Sequence, residues 1–290
     1  MTLVGLGWAR GFAARFSHLV DGFLELPGFP GLPETEPREA ELPAFLAAAR
    51  GRDFDLAVQL HGSGRVTNGL VAELGARRTA GFHPPGEPPP DRMRFLPWPE
   101  RGHEIHRLLS LPEHLGLPLA GDGLEFPLGE RDAAEADRIA HGLERGGYAC
   151  VHPGARSAEP WPADRFAAVA DALAAKGLEV VLTGSHGERP LTAAVAGRMR
   201  APARDVAGAT SLGALGALLA GARILVSNDT GVSHIAAALR LPSVVVVTSS
   251  DPDRWTPLDR ALHRVVARPA AAAPVVAEAA ALLAPAPAAA

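Results

Sequence analysis

Runs of β-branched and aliphatic residues alternate with helical patterns along the second half of the chain, and this alternation constrains the fold most. The runs cover residues 148–152, 178–183, 224–226 and 243–247, and apolar residues at helical spacing follow each of them. Continuously apolar strands between helices are typical of parallel sheets that are covered by helices on both faces. We therefore predict an α/β fold in which this half forms a Rossmann-like lobe.

The first half of the chain shows the same alternation with weaker signals. Short apolar runs predict four strands there, at residues 2–4, 23–26, 56–60 and 78–82. Residues 84–99 contain seven prolines, which predicts a loop. A helix predicted over residues 103–115 is expected to break at Pro112. This half is therefore expected to form a second Rossmann-like lobe with parallel strands.

The length of 290 residues is about twice that of a common domain, which agrees with two lobes. We predict a first domain over residues 1–125 and a second over residues 126–290, the latter ending in a tail rich in Ala and Pro. The tail is expected to form a short helix with a frayed end, because its prolines interrupt a longer one.

Composition and charge exclude several classes of function. The net charge of −4 and the lack of a basic patch argue against nucleic-acid binding. Arg10 and Arg15 interrupt the start of the chain, so no signal peptide is expected, and the uncharged run 206–222 holds four glycines and is too short to span a bilayer. The single Cys150, in an apolar run, predicts a buried, inert thiol in a reducing compartment. We expect a cytoplasmic protein without a transmembrane segment.

Ligands of open parallel sheets bind at the carboxyl ends of the strands, and the most informative such place follows the strand at 224–226. Residues 227–234 read Ser-Asn-Asp-Thr-Gly-Val-Ser-His and lead directly into a helix. Such a turn presents backbone N–H groups and a positive dipole end, which suits a phosphate. The competing interpretation is that Asp229 or Thr230 merely caps the helix and that His234 packs in its first turn. The local sequence alone favours capping.

Two further places follow neighbouring strands. Gly154 would let a ligand approach the backbone closely, and Arg156 could reach an anionic group. The alternative there is an ordinary loop anchored by the packing of Trp161. Glu188 follows the strand at 178–183 and could accept hydrogen bonds from ribose hydroxyls. The alternative is an exposed carboxylate that favours the start of a helix.

Together these segments resemble glycosyltransferase family 9, the ADP-heptose lipopolysaccharide heptosyltransferases and their relatives. The resemblance rests on motifs that match in order and spacing along the second lobe. They are His152-Pro153-Gly154-Ala155, Trp161-Pro162-Ala163-Asp164-Arg165-Phe166, residues 184–188, Asn228-Asp229-Thr230-Gly231-Val232-Ser233-His234 and Ser250-Asp251-Pro252. The first lobe matches more loosely, through residues 55–63 and 78–82.

The resemblance implies a two-lobe transferase of the GT-B type that works without a metal or other cofactor. It places a nucleotide-sugar donor, ADP-heptose, in the second lobe and the acceptor in the first. Asp229, Thr230 and Gly231 would meet the diphosphate or sugar of the donor, the latter two chiefly through backbone N–H groups. Glu188 would hold the ribose.

The remaining assignments come from the same resemblance. Gly154, Ala155 and Arg156 would line the phosphate side of the donor site, and His234 would orient the site from below. His61 and Ser63 are the candidates on the acceptor side. The expected partners are therefore a nucleotide sugar and a glycolipid or saccharide acceptor at the inner face of the inner membrane.

The chain departs from the family pattern in the first lobe. Family members begin with a strand, a loop that contains Gly-Asp and a helix, and this Asp is the base that deprotonates the acceptor hydroxyl. Here Thr2-Leu3-Val4 is similar to the second strand of the family. We therefore expect a shortened first lobe with unpaired backbone groups and an open groove. The catalytic base stays unassigned.

A second departure precedes Trp161, where the family commonly carries Lys or Arg one or two residues earlier. That cation would neutralise charge on the leaving diphosphate. Glu159 and Pro160 occupy these positions here, and a carboxylate cannot do this. Whether Arg156 substitutes stays open, because its planar guanidinium differs from the point charge of a lysine.

The resemblance leads to one main hypothesis about function. The chain would move a sugar, a heptose, from a nucleotide donor to a saccharide hydroxyl of lipopolysaccharide core or a related envelope glycan, with inversion. The alternative is a non-catalytic nucleotide-sugar-binding protein that has lost the base and the leaving-group cation. A nucleotide-sugar epimerase is a third possibility without positive support in the sequence.

Overall fold

The structure is a computed structural model that describes residues 1–155 and 160–284. The chain divides into two compact units, Met1–Asp122 and Gly123–Ala290, called unit 1 and unit 2 below. Each unit is built of helices and parallel strands. Within the described ranges, no helix combines the length and the apolar character that crossing a bilayer requires.

Unit 2 contains one sheet of six parallel strands in the order β11-β10-β9-β6-β7-β8. The strands are β6 (Tyr148–His152), β7 (Glu179–Leu182), β8 (Ala203–Asp205), β9 (Ile224–Asn228), β10 (Ser243–Val247) and β11 (His263–Ala267). The chain enters at β6, runs through β7 and β8 to one edge, and returns to β9 to continue toward the other edge. The strand order therefore reverses between β6 and β9.

Helices cover both faces of this sheet. They are α5 (Glu130–Ile139), α6 (Ala163–Ala174), α7 (Arg189–Ala196), α8 (Leu212–Gly221), α9 (Gly231–Ala238), α10 (Pro252–Trp255) and α11 (Ala273–Leu283). Because side chains alternate along a strand, Ala149 and Val151 of β6 pack against α6, α7 and α11, while Tyr148 and Cys150 pack against α8 and α9. Cys150 is fully buried as predicted, and this burial raises the pKa of its thiol to about 12.

Trp161 connects the start of α6 to the segment that precedes α11. Its side chain is 2% exposed and meets the ring of Phe166 edge to face, at 4.9 Å between centroids. The indole Nε1 donates a hydrogen bond of 2.9 Å to the carbonyl of Pro269. The interpretation of Trp161 as a packing anchor is therefore confirmed.

Unit 1 contains two separate parallel sheets, one of two strands and one of three. The strands are β1 (Thr2–Gly5), β2 (Gly22–Glu25), β3 (Leu56–Val58), β4 (Arg78–His83) and β5 (Phe95–Pro97). In the described structure, β1 pairs with β2 alone and β3 with β4 alone, so each keeps one unpaired edge. Leu56 and Val58 of β3 are more than two-fifths exposed. Every open sheet has edges of this kind, so the expected shortening of this lobe stays a prediction.

Four helices accompany these strands: α1 (Ala9–Arg15), α2 (Leu42–Arg50), α3 (Thr67–Glu73) and α4 (Glu104–His114). Phe45 and Leu46 of α2 share one core with Leu26, which follows β2, and with Ala57 of β3. Both sheets therefore contribute to a single hydrophobic cluster.

Three differences from the sequence-based predictions have a clear physical reason. β5 lies inside the proline-rich segment predicted to be a loop, and Pro97 is tolerated because β5 is an edge strand. The helix α4 continues through Pro112, which stands in its last turn beside the fully buried Leu111, so the predicted break is wrong. The strand β11 was not predicted, because its five residues include His263 and Arg264.

We expect Trp161→Ala to lower the free energy of unfolding of unit 2 by about 3–5 kcal/mol, because it leaves a cavity and removes the bond to Pro269. Urea denaturation followed by circular dichroism measures this. Trp255→Ala, at a tryptophan that is 36% exposed, is the matched control with a clearly smaller loss. Equal losses for the two variants would contradict the anchoring role.

His263 makes the stability of unit 2 depend on pH. It is 2% exposed and its Nδ1 lies 2.8 Å from Ser243 Oγ on the neighbouring strand. Burial lowers its pKa below the ordinary 6.5, and the nearby Asp259 only partly opposes this. The imidazole of His263 therefore binds a proton more readily in the unfolded chain than in the folded one. As a result, the free energy of unfolding falls as the pH drops below about 6.5.

The free energy of unfolding, measured by denaturation at pH values between 8 and 5, should therefore depend less on pH in His263→Gln than in the wild type. His141→Gln, at an exposed position in the same unit, serves as the control and should keep the wild-type dependence. An unchanged dependence in His263→Gln would show that other groups account for it.

Candidate functional site

The carboxyl ends of β6 and β9 lie side by side where the strand order of unit 2 reverses. Val151 pairs with Val226 and His152 with Ser227. The connections that leave these two strands run in opposite directions, toward β7 and β10, which opens a crevice between them. Such a reversal is the usual ligand site of an open parallel sheet.

Asn228 joins the two loops that border this crevice. Its side chain is 2% exposed, and Nδ2 donates to the carbonyl of Pro153 at 2.7 Å and to that of Gly154 at 3.3 Å. Buried amides hold their partners tightly because an unpaired polar group is costly away from water. Pro153 and Gly154 are therefore held in a fixed position relative to the turn after β9.

The N-terminus of α9 opens at this turn without a side-chain cap. Thr230 occupies the N-cap position in an extended conformation, and its side chain makes no capping hydrogen bond. The carboxylate of Asp229 accepts a hydrogen bond from the Ser250 hydroxyl instead. The capping interpretation of Asp229 and Thr230 is therefore wrong, and the first N–H groups of α9 stay available to a ligand.

Several polar side-chain atoms at the same turn are buried without a hydrogen-bond partner among the described residues. They are Ser227 Oγ, Asn228 Oδ1 and Thr230 Oγ1. Buried polar atoms normally have hydrogen-bond partners. Three unpaired polar atoms within four consecutive residues therefore indicate a binding site for a polar ligand. An ideal Cβ on Gly231 would meet no atom within 4 Å, so the first turn of α9 faces open space.

Glu188 reaches over the loop after β6 from the turn after β7. Its Oε2 accepts a hydrogen bond of 2.6 Å from the Ser185 N–H, as expected for a carboxylate that starts a helical turn. Its Oε1 lies so near Gly154 that a Cβ there would stand 2.0 Å away. With glycine at 154 the carboxylate can lie this close to the backbone, which places Glu188 at the crevice.

His152 is a buried polar residue at the carboxyl end of β6. It is 8% exposed, and its Nδ1 lies 3.0 Å from Thr183 Oγ1 at the end of β7. Burial lowers the pKa of this imidazole, and the carboxylate of Glu188 acts in the opposite direction. His234 lies half-buried in the first turn of α9, where it was predicted.

The structure brings Gly154, Glu188, Asp229, Thr230 and Gly231 to one end of one sheet. Ala155 follows directly after Gly154. Arg156 and Glu159 lie outside the described residues, so the role of Arg156 at the phosphate side and the loss of a cation at Glu159 stay predictions. Among the described residues, no group of three or more His, Cys, Asp or Glu side chains is placed to hold a metal ion.

In unit 1, His61 and Ser63 follow β3, the former exposed and the latter half-buried. The buried Gln59 shapes this loop, because its Nε2 donates to the His61 carbonyl and to Thr67 Oγ1, while its Oε1 accepts from the Phe82 N–H. His61 Nε2 lies 2.9 Å from Glu34 Oε1.

Sequence reasoning missed four of these contributors: Gln59, His152, Asn228 and Ser250. Asn228 and His152 stand inside recognised motifs, and their position at the end of buried strands is the signal that could have identified them. Ser250 also stands inside a recognised motif, but its contact with Asp229 could not be found in this way, because the two residues lie 21 positions apart in the chain.

Curated proteins and solved structures resemble this chain. Lipopolysaccharide heptosyltransferase 2 of Escherichia coli (strain K12) is 37% identical over 112 residues, which are 37% of this chain and 32% of that protein. In this match the chain spans about a third of the length of its curated relative.

Two E. coli structures share the fold. One is the ADP-heptose LPS heptosyltransferase II, with a TM-score of 0.75, 21% identity and coverage of 97% of this chain and 88% of that one. The other is a heptosyltransferase solved with ADP, with a TM-score of 0.67, 21% identity and coverage of 94% and 88%. At this identity the likeness shows the fold alone, which is α/β with parallel sheets in two Rossmann-like lobes, the GT-B type.

The sequence model of the family named glycosyltransferase family 9 (heptosyltransferase) matches residues 47–282, well over half of the chain. The match includes the whole crevice at the ends of β6, β7 and β9. This chain belongs to glycosyltransferase family 9.

Proposed function

We propose that this protein transfers a sugar, a heptose, from a nucleotide-diphosphate donor to a saccharide hydroxyl of lipopolysaccharide core or a related envelope glycan. The observation that carries the proposal is the uncapped N-terminus of α9 beside three unpaired buried polar atoms. A helix N-terminus with free N–H groups stabilises an anion such as a diphosphate. One solved relative holds ADP, and another holds ADP-2-deoxy-2-fluoro heptose.

In this proposal the backbone N–H groups of Thr230 and Gly231 bind the donor diphosphate, and Asp229 accepts hydrogen bonds from hydroxyls of the donor sugar. Glu188 binds the ribose, since its Oε1 lies beside Gly154 at the crevice. Gly154, Ala155 and Arg156 line the phosphate side, and His234 supports the turn from the helix.

The reaction is a direct displacement with inversion and without a metal. The acceptor oxygen loses its proton and attacks the anomeric carbon of the donor, and the bond from that carbon to the diphosphate breaks. The nucleoside diphosphate leaves with the electron pair. Fixed N–H donors stabilise the charge that develops on it, which is the largest contribution such a site can make.

His61 and Ser63 of unit 1 are proposed to contact the acceptor. The protein works in the cytoplasm and meets its glycolipid acceptor at the inner face of the inner membrane. Calorimetry with ADP-heptose, together with a turnover assay on deacylated lipopolysaccharide core, tests the whole proposal. Donor binding without turnover would favour the binding-protein alternative, to which Pro160 and Glu159 before Trp161 point. No binding at all would overturn both.

Asp229→Asn should weaken donor binding about tenfold, or about 1.4 kcal/mol, because it removes the charge that accepts from the sugar hydroxyls. Isothermal calorimetry with ADP-heptose measures the Kd. Asp253→Asn, at an exposed aspartate of α10, is the control and should bind like the wild type. A lower melting temperature in Asp229→Asn with unchanged Kd would assign Asp229 a structural role.

Gly154→Ala should displace the carboxylate of Glu188, because the new Cβ would stand 2.0 Å from Oε1. We expect at least a tenfold rise in the Kd for ADP. The adjacent Gly187→Ala is the control, since its Cβ would meet no atom within 4 Å.

A double-mutant cycle tests the cause of this effect. Once Glu188→Ala has removed the carboxylate, Gly154→Ala should cost little further affinity. Additive losses would show that Gly154 acts through the donor itself and not through Glu188.

A further inference from the structure

The turns along the carboxyl edge of the sheet in unit 2 give a bound donor a direction. The strands lie in the order β10-β9-β6-β7, and neighbouring strands are about 4.8 Å apart. The uncapped N-terminus of α9 follows β9 and borders Gly154 after β6, whereas Glu188 follows β7. A diphosphate at α9 with its ribose at Glu188 therefore extends toward β7. The sugar at the other end of the diphosphate is then expected on the side of β10.

On that side the hydroxyl of Ser250 holds the carboxylate of Asp229. Ser250 Oγ donates a hydrogen bond to Asp229 Oδ2, and both residues are half-buried. Within residues 1–155 and 160–284, the other carboxylate oxygen, Oδ1, accepts no hydrogen bond. Ser250 thus restricts the rotation of the carboxylate and leaves one of its oxygens to a ligand.

The backbone holds both members of this pair in place. The Asp229 N–H donates a hydrogen bond of 2.9 Å to the Val246 carbonyl, which ties the turn after β9 to the neighbouring strand β10. Ser250 lies in the short turn between β10 and α10. The next residue, Asp251, caps α10 by accepting a hydrogen bond of 3.0 Å from the Asp253 N–H. Because both turns are anchored in this way, the hydroxyl stays beside the carboxylate.

The charges on this side suit a hydroxyl-rich ring better than a phosphate. A carboxylate accepts hydrogen bonds from sugar hydroxyls, whereas it repels the like charge of phosphate oxygens. Asp229 and Asp251 both carry carboxylates at these two turns, and the guanidinium of Arg254 lies over the ring of Trp255, 4.4 Å from its centroid. The diphosphate is therefore favoured at the N-terminus of α9 and the uncharged sugar beside Asp229.

We propose that Ser250 is a positioning residue for the transferred sugar of the donor. By holding Oδ2, it directs Oδ1 of Asp229 toward a hydroxyl of that sugar. Ser250 thereby controls the affinity for the sugar part of the donor and leaves the affinity for the nucleotide part unaffected. This role rests on the transferase function proposed above, and it adds the direction in which the donor lies along the sheet.

Calorimetry on the full chain with ADP-heptose and with ADP separates the two parts of the donor. Ser250→Ala should raise the Kd for ADP-heptose about tenfold, because the released carboxylate no longer meets the sugar hydroxyl in a fixed orientation. The Kd for ADP should stay unchanged. Ser250→Thr keeps the hydroxyl and should bind both ligands like the wild type.

Ser243→Ala is the matched control at the opposite end of the same strand. Its hydroxyl lies 2.8 Å from His263 Nδ1 at the start of β10, so the variant also loses a serine hydrogen bond. It should melt at a lower temperature and keep both Kd values. In an Asp229→Ala background, Ser250→Ala should cause no further loss of affinity for ADP-heptose.

An unchanged Kd for ADP-heptose in Ser250→Ala would overturn the positioning role. Equal losses for ADP and ADP-heptose, or an additive loss in the double variant, would overturn it as well. Failure of the proposed function gives a different result: a wild type that binds both ligands but transfers no sugar overturns the transfer alone. A wild type that binds neither ligand overturns both.

Discussion

The pairing of β6 with β9 is the constraint on which the site in unit 2 depends. Each strand is the first of a series that runs toward its own edge of the sheet, so their carboxyl ends meet where the connections diverge. The amide of Asn228 then ties the turn after β9 to the loop after β6. This one side chain holds the N-terminus of α9 and Gly154 close together, and thereby sets the width of the crevice between them.

In unit 1, too, a buried side-chain amide holds a loop at the end of a strand, but the sheets there are smaller. This unit has two short sheets that share one hydrophobic cluster, and β1 and β3 each keep an edge without a partner in the described structure. The buried Gln59 compensates locally, because it joins β4 to the loop that presents His61. A single buried amide thus donates hydrogen bonds to a loop in each unit, although the two amides stand on unrelated sequences.

Hydrophobic periodicity was sufficient to predict most strands and helices, because burial on both faces of a parallel sheet leaves a continuous apolar run. Predictions from periodicity failed where the edge position of a strand or packing in the core decided the structure. β5 lies in a proline-rich segment, since an edge strand tolerates Pro97, and α4 passes through Pro112 because the adjacent Leu111 is held in the core. The motif residues Gly154, Glu188 and Asp229 were identified correctly as neighbours at one end of the sheet.

The sequence by itself determined the α/β class, the parallel sheets and the family motifs, since these follow from side-chain pattern and local spacing. Only the tertiary structure decided whether Asp229 caps α9 or bonds Ser250, and that Glu188 lies against Gly154. It also brought Glu34 to His61, 27 positions away. The reason is that a polar side chain takes its partner from whichever loop lies beside it, and the order of strands in the sheet, not the order of residues in the chain, sets which loops are neighbours.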